Sequence, residues 1–366
     1  MIATKMPPLH RPEGRADASM CPVVRPYEEG DERELVRFLG GPFAHDAGLD
    51  HWKWKLRHAS AETANVWLAT ADGKPVFHYA GVPLRFALDG PVVTAMISVD
   101  ALTAPEFRRR GLLTQGVTRA FAEWRARGVA FTLGLPNEQW GSRTAAAGWQ
   151  RLFLLQWLVR PLQPEVFAAR RFGLPWLRHA SVMSRLWRSW FANTLRRDPD
   201  VEFRQVAHAG DAFDRLWKRC ATDAMFSAVR DASWVQWRFL SSPARKYDVV
   251  LACRNGEPVG YSATHVASSA DKISAFLAEI VAPRTDAAVR DSLLARALAS
   301  ADEAGADILA ALSVPGTDSH ASLRRAGFLR GPAFEVHIVP FAAGLPMAEL
   351  QRPENWRLSG AEFDVV

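Results

Sequence analysis

Cysteine is scarce: Cys21, Cys220 and Cys253 are the only three in 366 residues. An odd, widely spaced set gives no disulfide framework and no zinc spacing, and a reducing cytoplasm is the simplest compartment for it. No apolar run reaches the roughly 18 residues that a membrane-spanning helix needs. The opening residues, MIATKMPPLHRPEGRADASM, lack the apolar core of a secretory signal. Rich in proline, charge and small side chains, they read as a disordered tail over 1–21. The ten histidines show no HExxH or related ligand spacing. No GxSxG occurs, and no cysteine stands beside a histidine. Metal-dependent and covalent mechanisms are therefore disfavoured.

What is present describes a globular protein. Hydrophobic residues make up 48% and charged residues 23%, the balance of a chain that folds around a core. The length is large for one core and suggests two domains. The net charge of +6 comes mostly from arginine and favours an anionic partner: a phosphate-bearing cofactor, nucleic acid or an acidic membrane surface. Neither an aromatic-basic sheet pattern nor a helix-turn-helix signal accompanies it, so nucleic acid is not expected.

Taken in order, Val23 to Pro26 reads as a short strand. Asp31 is a suitable N-cap for a helix from Glu32 to Leu39. A helical or turn segment leads through His51-Trp52-Lys53-Trp54-Lys55. Val66 to Ala69, the turn Asp72-Gly73 and Pro75 to Val82 form a hairpin. A second turn, Asp89-Gly90-Pro91, feeds a long strand from Val92 to Thr103. After Gly111 a helix places Leu113, Val117, Phe121 and Trp124 on one face, and Gly128 ends it. Val129 to Leu135 is a strand, a short helix leads to Gly148-Trp149, and Arg151 to Val159 is the last strand.

The second half repeats this order. Gly210-Asp211 answers Gly30-Asp31, and Trp237-Arg238 answers Trp54-Lys55. Asn255-Gly256 answers Asp72-Gly73, at the same distance from the tryptophan. Ala282-Pro283 answers Ala104-Pro105, Val314-Pro315 answers Leu135-Pro136, and Gly327-Phe328 answers Gly148-Trp149. An ordered series with equal offsets argues for two copies of one fold. Between them, 161–200 is arginine-rich. Within it Ser181 to Leu195 lines Met183, Leu186, Trp187, Trp190, Phe191 and Leu195 along one helical face. Such a helix either packs its apolar face across the domains or lies on a membrane surface. After Phe341 an irregular tail, 342–366, is expected to be anchored by Trp356.

One stretch is anomalous. Ala104-Pro105 ends the long strand, then Arg108, Arg109 and Arg110 precede Gly111 and a helix. A helix N-terminus already carries about half a positive charge, so three cations there are unfavourable unless an anion sits among them. A strand, a glycine turn and a helix N-terminus together present backbone N–H groups to a phosphate. A solvated basic turn is the plainer reading. The corresponding place in the second half, Asp286-Ala287-Ala288-Val289, has no arginine and no glycine, and Asp286 there is an N-cap for a helix from Ala287 to Ala301. The contrast strengthens the phosphate reading of the first copy.

Pro105-Glu106-Phe107-Arg108-Arg109-Arg110-Gly111-Leu112-Leu113 resembles the acetyl-CoA motif of the GNAT (Gcn5-related N-acetyltransferase) superfamily, Arg/Gln-x-x-Gly-x-Gly/Ala after the central strand. Arg108 and Gly111 match, and Leu113 stands where Gly or Ala is usual. Asn137 and Gly148-Trp149 also sit where the superfamily commonly has Asn and Gly-Phe. The whole chain is similar to bacterial proteins with two such domains in tandem. The resemblance implies an α/β mixed-sheet fold twice over: a catalytic domain at 22–160, a basic linker at 161–200 and a degenerate copy at 201–341. It implies acetyl-CoA as co-substrate, no metal, and direct transfer of the acyl group to an amine. On it, Leu102 and Thr103 would hold the pantetheine and polarise the thioester carbonyl through their N–H groups. Arg108, Arg109, Arg110, Gly111, Leu112, Leu113, Thr114 and Asn137 would complete the cofactor site.

Proton transfer is less well provided for. Asp100 is the carboxylate on the central strand and the candidate to bind or deprotonate the acceptor amine, or else a loop-bonded structural Asp. The superfamily's common base position corresponds to Ile97, and its usual acid, a tyrosine, to Thr144; neither can serve. His78 and Tyr79 either face a substrate or are structural. The expectation is a cytoplasmic CoA-dependent N-acetyltransferase acting on a small amine, amino sugar or peptide. The rivals are a non-catalytic acyl-CoA-binding or membrane-peripheral module and an aminoacyl transferase of the peptidoglycan-bridge type.

Overall fold

Asp72-Gly73 and Asn255-Gly256 each put two successive residues in the left-handed region, with φ of 50° and 73° in one pair and 52° and 81° in the other. That is the backbone of a two-residue hairpin turn, and it explains why these dipeptides recur. A computed structural model describes residues 22–40, 48–57, 65–136, 147–174, 176, 186–187, 190–191, 194–269 and 272–363. The chain divides into two compact units. One runs up to Pro83 and includes Ser98–Arg127; the other comprises Leu84–Ile97 and everything from Gly128 onward.

In the first unit β1 (Arg25–Pro26) pairs with β2 (Val66–Ala71), which pairs antiparallel with β3 (Lys74–Leu88). β4 (Val92–Thr103) enters the unit at Ser98, where Tyr79 Oη meets Ser98 Oγ at 2.7 Å. Helices α1 (Glu32–Gly40), α2 (Leu49–Leu56) and α3 (Leu112–Ala126) cover these strands. Two glycines set how closely α3 approaches β3. A Cβ on Gly81 would lie 2.4 Å from the Trp124 ring, and one on Gly116 would lie 2.4 Å from the Phe77 ring. The buried face of α3 starts at Leu112 rather than Leu113, because Leu112, Gly116 and Val117 turn inward while Leu113 stays half-exposed. Asp31 stands at the start of α1, but its carboxylate turns to the Arg25 guanidinium (2.7 and 2.8 Å) and the Glu28 N–H instead of capping the helix.

The second unit holds a large mixed sheet. Its strands run β4, β5 (Phe131–Gly134), β13 (Leu329–Pro340), β6 (Gln150–Pro161), β12 (Ile308–Ser313), β11 (Lys272–Val281), β10 (Glu257–Ser269), β9 (Tyr247–Arg254) and β7 (Val201–Gln205). The β4–β5 and β11–β12 pairs are parallel and the others antiparallel. Helices α4 (Pro164–Phe172), α5 (Asp211–Cys220), α6 (Ala232–Val235), α7 (Ala287–Glu303) and α8 (Asp318–Arg325) complete it. From β7 to β13 the elements follow the order from β1 to β6 in outline, with the short strand β8 (Phe226–Ala228) added and α8 standing between β12 and β13. The last strands of the two halves are interleaved. β6 lies between β13 and β12, while β13 lies between β5 and β6.

The C-terminal segment is ordered, not irregular. α9 (Met347–Leu350) leads to β14 (Trp356–Arg357), which pairs with β8 (Phe226–Ala228). Trp356 is buried against Phe86, Phe153 and Phe226 and donates its indole N–H to the Leu350 carbonyl at 2.8 Å, so it is the anchor. Most of 181–195 lies outside the described residues. Of the rest, Leu195 is in the core, Phe191 packs on Gly327, and Leu186 and Trp190 are exposed. No described helix is long and apolar enough to cross a membrane.

Candidate functional site

β4 ends at Thr103, and Ala104 donates its N–H to the Val76 carbonyl, fastening the strand end to β3. One short turn follows, Pro105–Phe107, with Phe107 buried as its pin. Arg108 swings back so that Nε reaches the Thr103 carbonyl at 3.2 Å. Arg109 has φ of 64° and Gly111 φ of 79°, so the chain turns twice through the left-handed region before α3 begins. An arginine is costly in that region, by about 1–2 kcal/mol. The Arg110 guanidinium lies over the Phe107 ring at 4.9 Å. All three arginines are exposed, and among the described residues none has a carboxylate partner.

The N-terminus of α3 is bare. Gly111 has no side chain to cap it, and no acid stands in the first turn. The first intrahelical bond runs from Gln115 N–H to the Gly111 carbonyl. The N–H groups of Leu112, Leu113 and Thr114 precede it and are the orphan donors of a helix start. The second half shows the contrast. Asp286 caps α7 by accepting from Val289 N–H at 3.1 Å, and its other oxygen pairs with Arg254 at 2.9 Å. The start of α3, unlike that of α7, leaves cations and unsatisfied donors together, the composition that suits a pyrophosphate.

Asp100 sits in β4 with φ of 51°, a left-handed residue inside a strand. Lys55 of α2, itself buried, meets both carboxylate oxygens at 3.1 Å. His78 of β3 is fully buried, and its Nδ1 lies 2.8 Å from the Asp100 carbonyl oxygen. A carbonyl only accepts, so Nδ1 carries the proton. Burial lowers the His78 pKa, against the pull of Asp100, so the ring is neutral. His78 therefore holds the bend of β4. Tyr79, also buried, has its pKa raised by desolvation. Leu102 and Thr103 lie half-buried at the strand end beside the arginine turn. Asn137 and Thr144 lie outside the described residues.

Residues 23–149 match the acetyltransferase (GNAT) domain family. The GNAT segment thus contains the arginine turn, Asp100, Lys55 and His78. Across the rest of the chain the likeness is one of fold. A GCN5-related N-acetyltransferase from Anabaena variabilis ATCC 29413 superposes with a TM-score of 0.64 at 12% identity, covering 88% of this chain and 73% of its own. A conserved protein of unknown function from Enterococcus faecalis V583, described as a probable N-acyltransferase, gives 0.61 at 12% identity with the same coverage. No curated protein matches the sequence. Acyl transfer is the general chemistry that the GNAT match supports. Sequence reasoning had Lys55 only as part of a repeat and had no signal for its bond to Asp100. That contact joins residues 45 positions apart.

Proposed function

We propose that this protein is a CoA-dependent N-acyltransferase that moves an acetyl group from acetyl-CoA to an amine of a small molecule, amino sugar or peptide. The bare start of α3 carries the reading: three arginines without acidic partners among the described residues and orphan N–H donors, inside the GNAT-matching segment. Arg108, Arg109 and Arg110 neutralise the pyrophosphate, and Gly111 lets the backbone approach it. Leu112, Leu113 and Thr114 supply N–H groups from the helix start. Acetyl-CoA supplies the activated thioester. Leu102 and Thr103 polarise its carbonyl. Asp100 receives the acceptor: Lys55 engages both of its oxygens, yet each oxygen has a further lone pair for an incoming N–H. The second half is a degenerate copy that supports the first.

Binding of acyl-CoA without turnover is the second reading, favoured by the engagement of Asp100 with Lys55. One experiment tests both. The purified full chain is titrated calorimetrically with acetyl-CoA, then mixed with a panel of amines while thiol release is followed. Arg108→Glu with Arg110→Glu should weaken binding about a hundredfold or more, since charge-assisted contacts contribute roughly 1.5–3 kcal/mol each. Asp286→Ala should leave binding intact. Equal losses from both variants, or no binding by the native chain, would overturn the assignment. Binding without thiol release on any amine would favour the second reading.

A further inference from the structure

The parallel ladder between β11 and β12 runs from Ser274↔Ile308 to Leu277↔Ala311 and then stops, although both strands continue. Beyond that point the strands part. The C-terminal segment comes alongside, with Ser359 bridging Ser313. A cavity of about 90 Å³ remains, bounded by β11, β12, α7, α8 and Trp356 to Ser359. It is far too small for a nucleotide and large enough for a few solvent-sized groups.

Four arginines line this cavity, and three are neutralised. Arg230 is buried between Glu279 and Glu362, whose carboxylates hold its pKa up against the cost of burial. Arg284 pairs with Asp318 at 2.9 Å, and Arg357 with Asp223 at 3.2 Å. Arg290 differs. It is only 8% exposed, yet among the described residues its side chain makes a single hydrogen bond, from Nε to Ser322 Oγ at 3.1 Å, and no ion pair. Its Nη1–Nη2 edge is therefore unengaged. Burial lowers its pKa, and Asp318 and Asp291 offset this only from a distance, without an ion pair among the described residues. Ser322 Oγ also accepts from Arg325 at 3.0 Å, so the hydroxyl proton is free to donate.

We propose that this cavity is a binding site for a short-chain organic carboxylate. The carboxylate occupies the Nη edge of Arg290, whose two parallel N–H vectors match it, and receives the Ser322 hydroxyl. The carbon chain lies on Leu277, Leu294 and Leu312. The fork of the Nη edge selects a carboxylate rather than a more highly charged anion. Asp223, Glu279, Asp318 and Glu354 line the same cavity, and a dianionic phosphate would meet more repulsion from them than a monoanion. The site lies wholly in the second unit and does not depend on the acetyl-CoA reading of the arginine turn.

The test is calorimetric titration of the full chain with acetate, butyrate and inorganic phosphate at constant ionic strength. Butyrate should bind one to one and more tightly than acetate by about fifteenfold, at roughly fourfold for each of two buried methylenes. Arg290→Met, which keeps an unbranched stem and removes the guanidinium, should lose at least tenfold in butyrate affinity. Ile280→Phe, which narrows the cavity without changing its charge, should weaken butyrate more than acetate and serves should Arg290→Met fail to fold. Arg108→Glu with Arg110→Glu should leave butyrate binding unchanged, so the two sites fail separately. Tighter binding of phosphate than of butyrate, no binding of either carboxylate, or undiminished binding by Arg290→Met would overturn the proposal.

Discussion

Single residues show where chemistry and structure part company. His265 of β10 is stacked on Phe276, with centroids 5.0 Å apart, and edges onto Tyr247. Burial, reinforced by Arg245 and Arg238, pushes its pKa down to about 3. The folded value lies below the unfolded one of roughly 6.5, so below that pH the unfolded chain takes up a proton that the native chain refuses. Stability is then lost at about 1.4 kcal/mol per pH unit as pH falls from roughly 6.5 towards 3. His265→Phe keeps an aromatic ring in the stack and removes that slope. Urea midpoints at neutral pH and near pH 5 should show the acid loss reduced by about 2 kcal/mol relative to the native chain. An unchanged acid limb would refute this account. His78 was legible in the sequence only as an unassigned histidine, since its role depends on the Asp100 carbonyl, which a strand bend brings within reach. Gly81 and Gly116 were equally silent. Nothing local announces that Trp124 and Phe77 would lie against them.

At the scale of elements the sequence speaks more clearly, because turns are local. Asp72-Gly73, Asn255-Gly256 and the Asp286 cap are all where their residue types require. Boundaries drift: β3 runs on to Leu88 and β5 shortens to Phe131–Gly134, because strand ends are set by partners rather than by composition. The arginine turn is the element whose local rules are broken on both counts, a left-handed arginine and cations at a helix start. Arg109→Asn relieves both. Asparagine tolerates φ of 64°, and removing a cation two residues ahead of the Gly111 cap eases repulsion from the positive end of α3. The free protein should melt higher, while the rise in melting temperature on adding acetyl-CoA should shrink. A variant that is less stable and still fully protected by acetyl-CoA would show that Arg109 is there for the turn and not for an anion.

For the whole molecule, the succession of elements was legible and the pairing of the terminal strands was not. Equal spacings suggest which elements correspond, but the partners of a terminal strand depend on contacts between residues far apart in sequence. β6 pairs with β12 through Ile308↔Pro161 to Ser313↔Gln156 and with β13 through Leu329↔Val159 to Ile338↔Gln150. β13 in turn pairs with β5. A cut at residue 160, where the copies divide by sequence, therefore strips β6 of both neighbours and β5 of one. β6 carries Leu152, Phe153, Leu155 and Leu158 in the core, so the fragment would expose apolar side chains along two open edges, the condition for edge-to-edge aggregation. Residues 22–160 expressed alone should be insoluble or lack a cooperative melt, and co-expression with 161–366 should restore soluble, acetyl-CoA-binding protein. A monomeric 22–160 fragment that melts cooperatively and binds acetyl-CoA as tightly as the full chain would mean that β6 needs neither partner, and that each copy folds on its own.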